Sequence, residues 1–151
     1  MNYSISEKGL NLIKEYEGFV PHVYQHPGDV PTIGFGTTFY PDGRKVAMGD
    51  PDVTQEQALE FVEHYVNTIS LPTIEKHVEV QLTQGNVDAI CDFTYNLGNG
   101  AFIGSHLLVQ INNKADQQTI TNEFKKWIYV NHKPNDWQIK RRNADIQMYF
   151  S

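Results

Sequence analysis

The chain reads as an α+β protein: a mainly helical body, a small antiparallel-sheet lobe near the start, and a cleft where they meet. Three observations carry that reading. Residues 5–17 follow a helical apolar period. Residues 18–53 are dense in turn formers (Pro21, Pro27-Gly28-Asp29, Pro31, Pro41-Asp42-Gly43) around short β-type runs. From Thr54 onward the pattern is helical to the end.

Ser4 precedes Glu7 at capping-box spacing, and Ile5, Leu10, Ile13 and Tyr16 follow at helical intervals. The first helix is therefore expected over residues 5–17, with Gly18 able to end it. Val23-Tyr24, 32–35 and 37–40 are the expected strands of the small lobe. Thr54 and Gln57 form a second capping box ahead of Ala58, Leu59, Phe61, Val62, Tyr65 and Val66. Thr83 opens a helix carrying Val87, Ala89, Ile90, Cys91, Phe93 and Leu97, apolar on much of its circumference, hence the buried central helix. Gly98 and Gly100 break it. Further helices are expected over 105–111, 116–128 and 136–149. With no repeat, linker or low-complexity tract, residues 1–151 form one domain, in which 18–53 is the sheet lobe and 1–17 with 54–151 the helical lobe.

At 151 residues, 40% apolar and 20% charged, the chain is ordinary globular protein of single-domain size. No run approaches membrane-spanning length, and MNYSISEKGL has neither the basic region nor the apolar core of a secretory signal. The lone Cys91 sits in an apolar run and reads as a small core residue. A net charge of −6 argues against nucleic acid as a partner. Half of the 12 basic residues nonetheless fall at Lys125, Lys126, Lys133, Lys140, Arg141 and Arg142, with Asp136 the one acid among them. That run is either a cationic patch that meets an anionic surface or the solvated faces of two helices.

Glu17 is the most informative acid. It lies next to the apolar face of the first helix and at its C-terminal end, where the dipole disfavours negative charge. Both placements would raise its pKa, as a general acid requires. The competing reading is a solvated glutamate beside a cap. His22 and His26 have a metal-ligand spacing only if helical, and Pro21, Pro27 and Gly28 oppose a helix, so no metal or other cofactor is expected. The glycines of TIGFG lack nucleotide-fingerprint spacing and suggest close backbone packing.

Glu17, eight residues, His26, five residues, then Thr32 leading into TIGFG resembles the lysozymes (endolysins) of bacteriophages, glycoside hydrolase family 24. There the pattern is Glu, eight residues, Asp, five residues, Thr, followed by IGxGHT. Thr54-Gln-Glu-Gln-Ala58 is similar to the family's T-x-E-Q-A. Leu82-Thr83, Asp88-Ala89, Phe93, Asn96 and Gly98 follow its L-T-x-x-x-x-D-A-x-x-x-F-x-x-N-x-G. Gly100-Ala-Phe102, Ser105, Leu107-Leu108, Asn112, Glu123-Phe, Trp127 and Arg141-Arg142 extend the likeness over essentially the whole chain.

The resemblance implies hydrolysis of the β-1,4 bond between N-acetylmuramic acid and N-acetylglucosamine in bacterial peptidoglycan. It implies Glu17 as general acid and Thr32 as holder of a water on the opposite sugar face, with inversion. Thr38, Tyr95, Asn96 and Ser105 fall where relatives line the sugar cleft, and Arg141 and Arg142 where paired arginines meet acids near it or lie on the surface. A monomer is expected, made in the host cytoplasm and reaching the wall after another protein opens the membrane. No direct membrane insertion is expected.

Two departures matter. His26 stands at the family's aspartate, and IGFGTT puts Thr37 at its histidine. A histidine can serve as base but brings no negative charge to an oxocarbenium-like transition state. Three readings follow: His26 as a working base, Asp29 as the alternative base, or a weak or inactive peptidoglycan-binding or structural phage protein. Intact Glu17 and Thr32 favour activity.

Overall fold

The computed structural model describes residues 2–151, among which eight α-helices and two small antiparallel sheets alternate along the chain. The first helix, α1, is Glu7–Glu17; β1 (Val20–Tyr24) and β2 (Thr32–Gly34) pair as the first sheet. Helices α2 (Gln55–Tyr65) and α3 (Leu71–His77) follow, joined by the π-helical stretch Val66–Ser70. Next come α4 (Gln84–Leu97), α5 (Asn99–Ile103), α6 (His106–Asn112) and α7 (Gln117–Lys125). A hairpin of β3 (Tyr129–Val130) and β4 (Lys133–Pro134) leads into α8 (Asp136–Tyr149).

Local chemistry starts most helices where expected. The capping boxes at Thr54 and Thr83 both form, and Ser105, Asp116 and Asn135 each accept a hydrogen bond from a first-turn amide. The first helix is an exception: Ser6, not Ser4, is its cap. Ser6 is fixed there by Asp88 of α4, which accepts from the Ser6 backbone N–H at 2.9 Å and from its hydroxyl. A tertiary contact thus moves the start past the local signal. At the other end Gly18 adopts φ +68° and donates its N–H to Lys14 O, leaving Glu17 as the last helical residue.

The central helix is buried as its pattern implied, with residues 87–94 enclosed without interruption. It packs against α1 and α8. Phe93 meets Phe102, Phe124 and Trp127 edge-on at 6.1, 6.0 and 5.4 Å, burying rings worth about 1.5–3 kcal/mol each. Cys91 is buried here, and burial raises its thiol pKa. A second, smaller core of Val23, Ile33 and Val46 holds the sheet lobe, while Phe35 belongs to the main core and ties the two together.

The expected third strand at 37–40 reduces to isolated pairings. Gly34 and Gly36 take φ +67° and +77°, turning the chain back so tightly that Ile33 and Thr37 exchange both backbone hydrogen bonds at 2.9 Å. The helix expected over 116–128 stops at Lys125, and the β3–β4 hairpin takes over with Asn131 and His132 at positive φ. Between Val66 and Thr83 the sequence reading named no separate helix within its general helical pattern, and α3 lies there. Pro72 sits there in the first turn of α3, a position that has no intrahelical N–H bond to lose. No helix is long and apolar enough to cross a membrane among the described residues.

Candidate active site

A groove of about 400 Å³ lies over the junction of the sheet lobe and the helical body. Its lining includes Glu17 at the end of α1, Gly36 to Phe39 from the loop after β2, and Phe61 and Tyr65 from α2. Tyr95 and Asn96 from α4 complete the wall. The Tyr95 hydroxyl donates to Phe35 O at 2.5 Å, and its ring meets Tyr65 edge-on at 5.1 Å. That bond joins α4 to the chain leaving β2 and closes the groove floor. Burial first, then the Glu17 carboxylate, raises the Tyr95 phenol pKa, so it stays a hydroxyl.

Glu17 is held by three features. The Gly18 cap fixes the backbone. Gly36 presses its backbone against the carboxylate. Arg141 of α8 donates Nη1–H to Glu17 Oε2 at 2.8 Å. The side chain is 19% exposed and lines the groove. Burial raises the Glu17 pKa; the Arg141 charge and hydrogen bond pull it back, and Asp92 adds a smaller upward push. The balance is upward, the direction a proton donor needs.

Behind Glu17 lies a charged cluster inside the protein. Arg141 and Arg142, 3% and 0% exposed, are core side chains rather than part of a surface patch. Their burial leaves four lysines of the cationic run outside, and Lys126 is paired with Glu123 at 2.8 Å. Arg141 grips Asp92 with Nε and Nη2 at 3.0 and 2.8 Å. Arg142 donates to Asn96 Oδ1 at 2.6 Å and stands 3.0 Å from Asp145 Oδ2, out of line for a hydrogen bond.

The other candidates divide. Thr38, Tyr95 and Asn96 line the groove with Glu17. Thr32 is half-buried on β2, donating its hydroxyl to Val30 O at 2.9 Å. His26 and Asp29 are exposed on the β1–β2 turn, where Asp29 N donates to His26 O at 3.0 Å. The His26 ring packs edge-on against Tyr24 at 5.4 Å. Burial, then Glu17, then Asp29 raise the Tyr24 phenol pKa, so Tyr24 lies within electrostatic reach of both carboxylates. Ser105 is a correction. It is 4% exposed, away from the groove, its hydroxyl accepting from Leu108 N at 3.1 Å and donating to Phe102 O at 2.7 Å. Capping α6 uses the hydroxyl that sugar binding would need.

The Phage lysozyme family profile matches residues 14–145. The chain belongs to the phage lysozyme family. It is 38% identical to an endolysin of Acyrthosiphon pisum secondary endosymbiont phage 1, covering 97% of this chain and 98% of that one. It is 32% identical to the endolysin of Salmonella phage P22, again over 97% and 98%. The structure is similar to the endolysin of Escherichia coli O157:H7 phage FAHEc1, with TM-score 0.88, 28% identity, and 100% and 96% of the two chains covered. This phage lysozyme is a glycoside hydrolase acting on bacterial peptidoglycan in the cell wall.

Several residues of this lysozyme's groove were not singled out from sequence. Phe39, Phe61, Tyr65 and Ile69 give it an apolar wall beside Thr37, the residue at the family's histidine position. Asp92 lies deeper and was missed although a signal existed: an acid inside the apolar run of the central helix has to find a cation.

Proposed function

We propose that this phage lysozyme is a muramidase that cleaves the β-1,4 bond between N-acetylmuramic acid and N-acetylglucosamine with inversion. Glu17 protonates the leaving glycosidic oxygen. The observation that carries this reading is the Glu17 carboxyl itself: shielded, in the lining of the groove, and with its pKa raised. Thr38 and Asn96 offer polar contacts to the glycan, and Phe39, Phe61 and Tyr65 offer faces for its sugar rings.

On the opposite sugar face the Thr32 hydroxyl, with its proton given to Val30 O, accepts a hydrogen bond from the attacking water. His26 takes that water's other proton. Inverting enzymes leave about 6.5–9.5 Å between acid and base for such a water. A neutral imidazole cannot steady the cationic transition state as a carboxylate does, a loss of about 3 kcal/mol or a hundredfold in rate.

A second assignment of the base has an observation in its favour. Asp29, three residues on, acts by its charge on Tyr24 as Glu17 does, and Gly28 before it turns the chain at φ +84°.

The test is reducing-sugar release from purified peptidoglycan by the parent and by Glu17→Gln, with the product anomer read by NMR. Release by the parent, none by the variant, and an inverted anomer are expected. A fully active Glu17→Gln removes the acid from the mechanism, and a silent parent leaves only glycan binding.

A further inference from the structure

The charged cluster behind the groove contains more than the proposed reaction uses. Glu17, Asp92 and Asp145 contribute three carboxyl groups, and Arg141 and Arg142 two guanidinium groups. Arg141 divides its donors unequally. Its Nε–Nη2 edge makes two hydrogen bonds to Asp92, at 3.0 and 2.8 Å, while Nη1 makes one to Glu17 at 2.8 Å. Asp92 and Arg141 are 0% and 3% exposed, so water screens this pair poorly.

We propose that Asp92 is a positioning residue for the acid: by gripping Arg141 along one edge it neutralises the guanidinium and lets Glu17 keep a proton while still being oriented by it. This rests on Glu17 being the proton donor. A lone Arg at 2.8 Å would hold Glu17 ionised and useless as an acid, since an opposite charge this close lowers a carboxyl pKa by about 1–3 units. An arginine whose charge is already met orients the carboxyl without stripping its proton.

The groups facing the pair are few. From α8, Arg141, Arg142 and Asp145 face Asp92; from α1, Tyr16 stands beside Arg141 with its ring 5.8 Å from the guanidinium. Glu17 is faced by Arg141 from α8, by Asp92 and Tyr95 from α4, and by Tyr24 from β1. Burial works to raise the Asp92 pKa, but the charge and hydrogen bonds of Arg141 and the charge of Arg142 hold it below the usual carboxylate range. Burial, then Asp92, push the Asp145 pKa well above that range. Asp92 is thereby the fixed negative charge between the two arginines.

The experiment is a carboxyl-carbon NMR titration of Glu17 in the parent, Asp92→Asn and Asp145→Asn, alongside pH profiles of peptidoglycan hydrolysis. In the parent, Glu17 should titrate above the ordinary glutamate range. Asp92→Asn should lower its midpoint by about one unit or more, and move the alkaline limb of hydrolysis equally, a loss of about tenfold on that limb. Asp145→Asn, which removes a carboxyl that bonds neither Glu17 nor Arg141, should leave the Glu17 midpoint at the parent's value. A folded Asp92→Asn whose Glu17 titrates as in the parent overturns the proposal. If that variant does not fold, the parent decides: a Glu17 midpoint at or below the ordinary range overturns it, and one above supports it. The titration needs no turnover. Should Glu17→Gln hydrolyse normally while the midpoint still moves, the catalytic reading fails and the tuning by Asp92 stands.

Discussion

Gly36 lies so close against Glu17 that no side chain fits between them. A Cβ at Gly36 would overlap Glu17 Oε1 and come within 3.0 Å of its Cδ, and the backbone there is at φ +77°. The turn that brings Thr37 back to Ile33 therefore also sets one wall of the carboxyl's seat. Gly36→Ala should cost about 1–2 kcal/mol in backbone strain alone. It should also push the carboxyl off its line to the substrate, for which a displacement near 1 Å removes about a hundredfold in rate. Hydrolysis measured well below the variant's Tm separates the two effects. A destabilised variant with parental rate would show that the seat does not position the acid.

Replacing Glu17 should help the fold while it removes activity. The Glu17 pKa is raised on folding, chiefly by burial. The native state then binds its proton more tightly than the unfolded chain does, so stability falls as pH climbs from the unfolded glutamate pKa through the higher native one. Below that window both states are protonated and nothing is lost. Glu17→Gln removes the penalty, so its Tm should exceed the parent's at neutral pH and converge toward it in acid. Thermal unfolding from pH 4 to 8 checks this, and a variant less stable at pH 7 than at pH 4 relative to parent contradicts it.

Local features of this fold were legible because their causes are local. Thr54, Thr83 and Asp116 cap their helices through side-chain bonds three residues long, and Gly18 ends α1 through one turn of backbone. Ser6 was illegible because Asp88, 82 residues away, overrides the Ser4 signal. Ser105 was misplaced for a different reason: position in a motif does not say whether a hydroxyl is free, and this one is taken by its helix. Glu17 could be singled out as an acid near an apolar face, but Arg141 is 124 residues from it and 49 from Asp92. No periodicity connects such distant residues, so the sequence left the two arginines open between pairing with acids and lying on the surface, and the structure pairs them in the core.

The two candidate bases sit three residues apart on one exposed turn and differ in what their loss should do. If His26 takes the proton, His26→Ala should lower hydrolysis about a hundredfold, and His26→Asp should equal or exceed the parent because it adds the missing negative charge. Asp29→Asn should then change little. The reverse pattern, with Asp29→Asn inactive and His26→Ala near parental, assigns the role to Asp29. Both side chains are exposed, so neither substitution should move Tm appreciably.

Arg142 should be the more costly arginine to remove for stability, although it does not touch Glu17. It is 0% exposed, bonds Asn96 at 2.6 Å, stands 3.0 Å from Asp145 and lays its guanidinium 5.2 Å from the Phe93 ring centre. Arg142→Ala leaves a cavity against the central core and an unpartnered Asn96 oxygen, together about 3–5 kcal/mol. Arg142→Met gives up the same polar partners but keeps most of the volume, so it should lose about half as much. Urea unfolding of both variants separates cavity from pairing. Equal losses in the two would mean that the pairing, not the packing, is what Arg142 contributes.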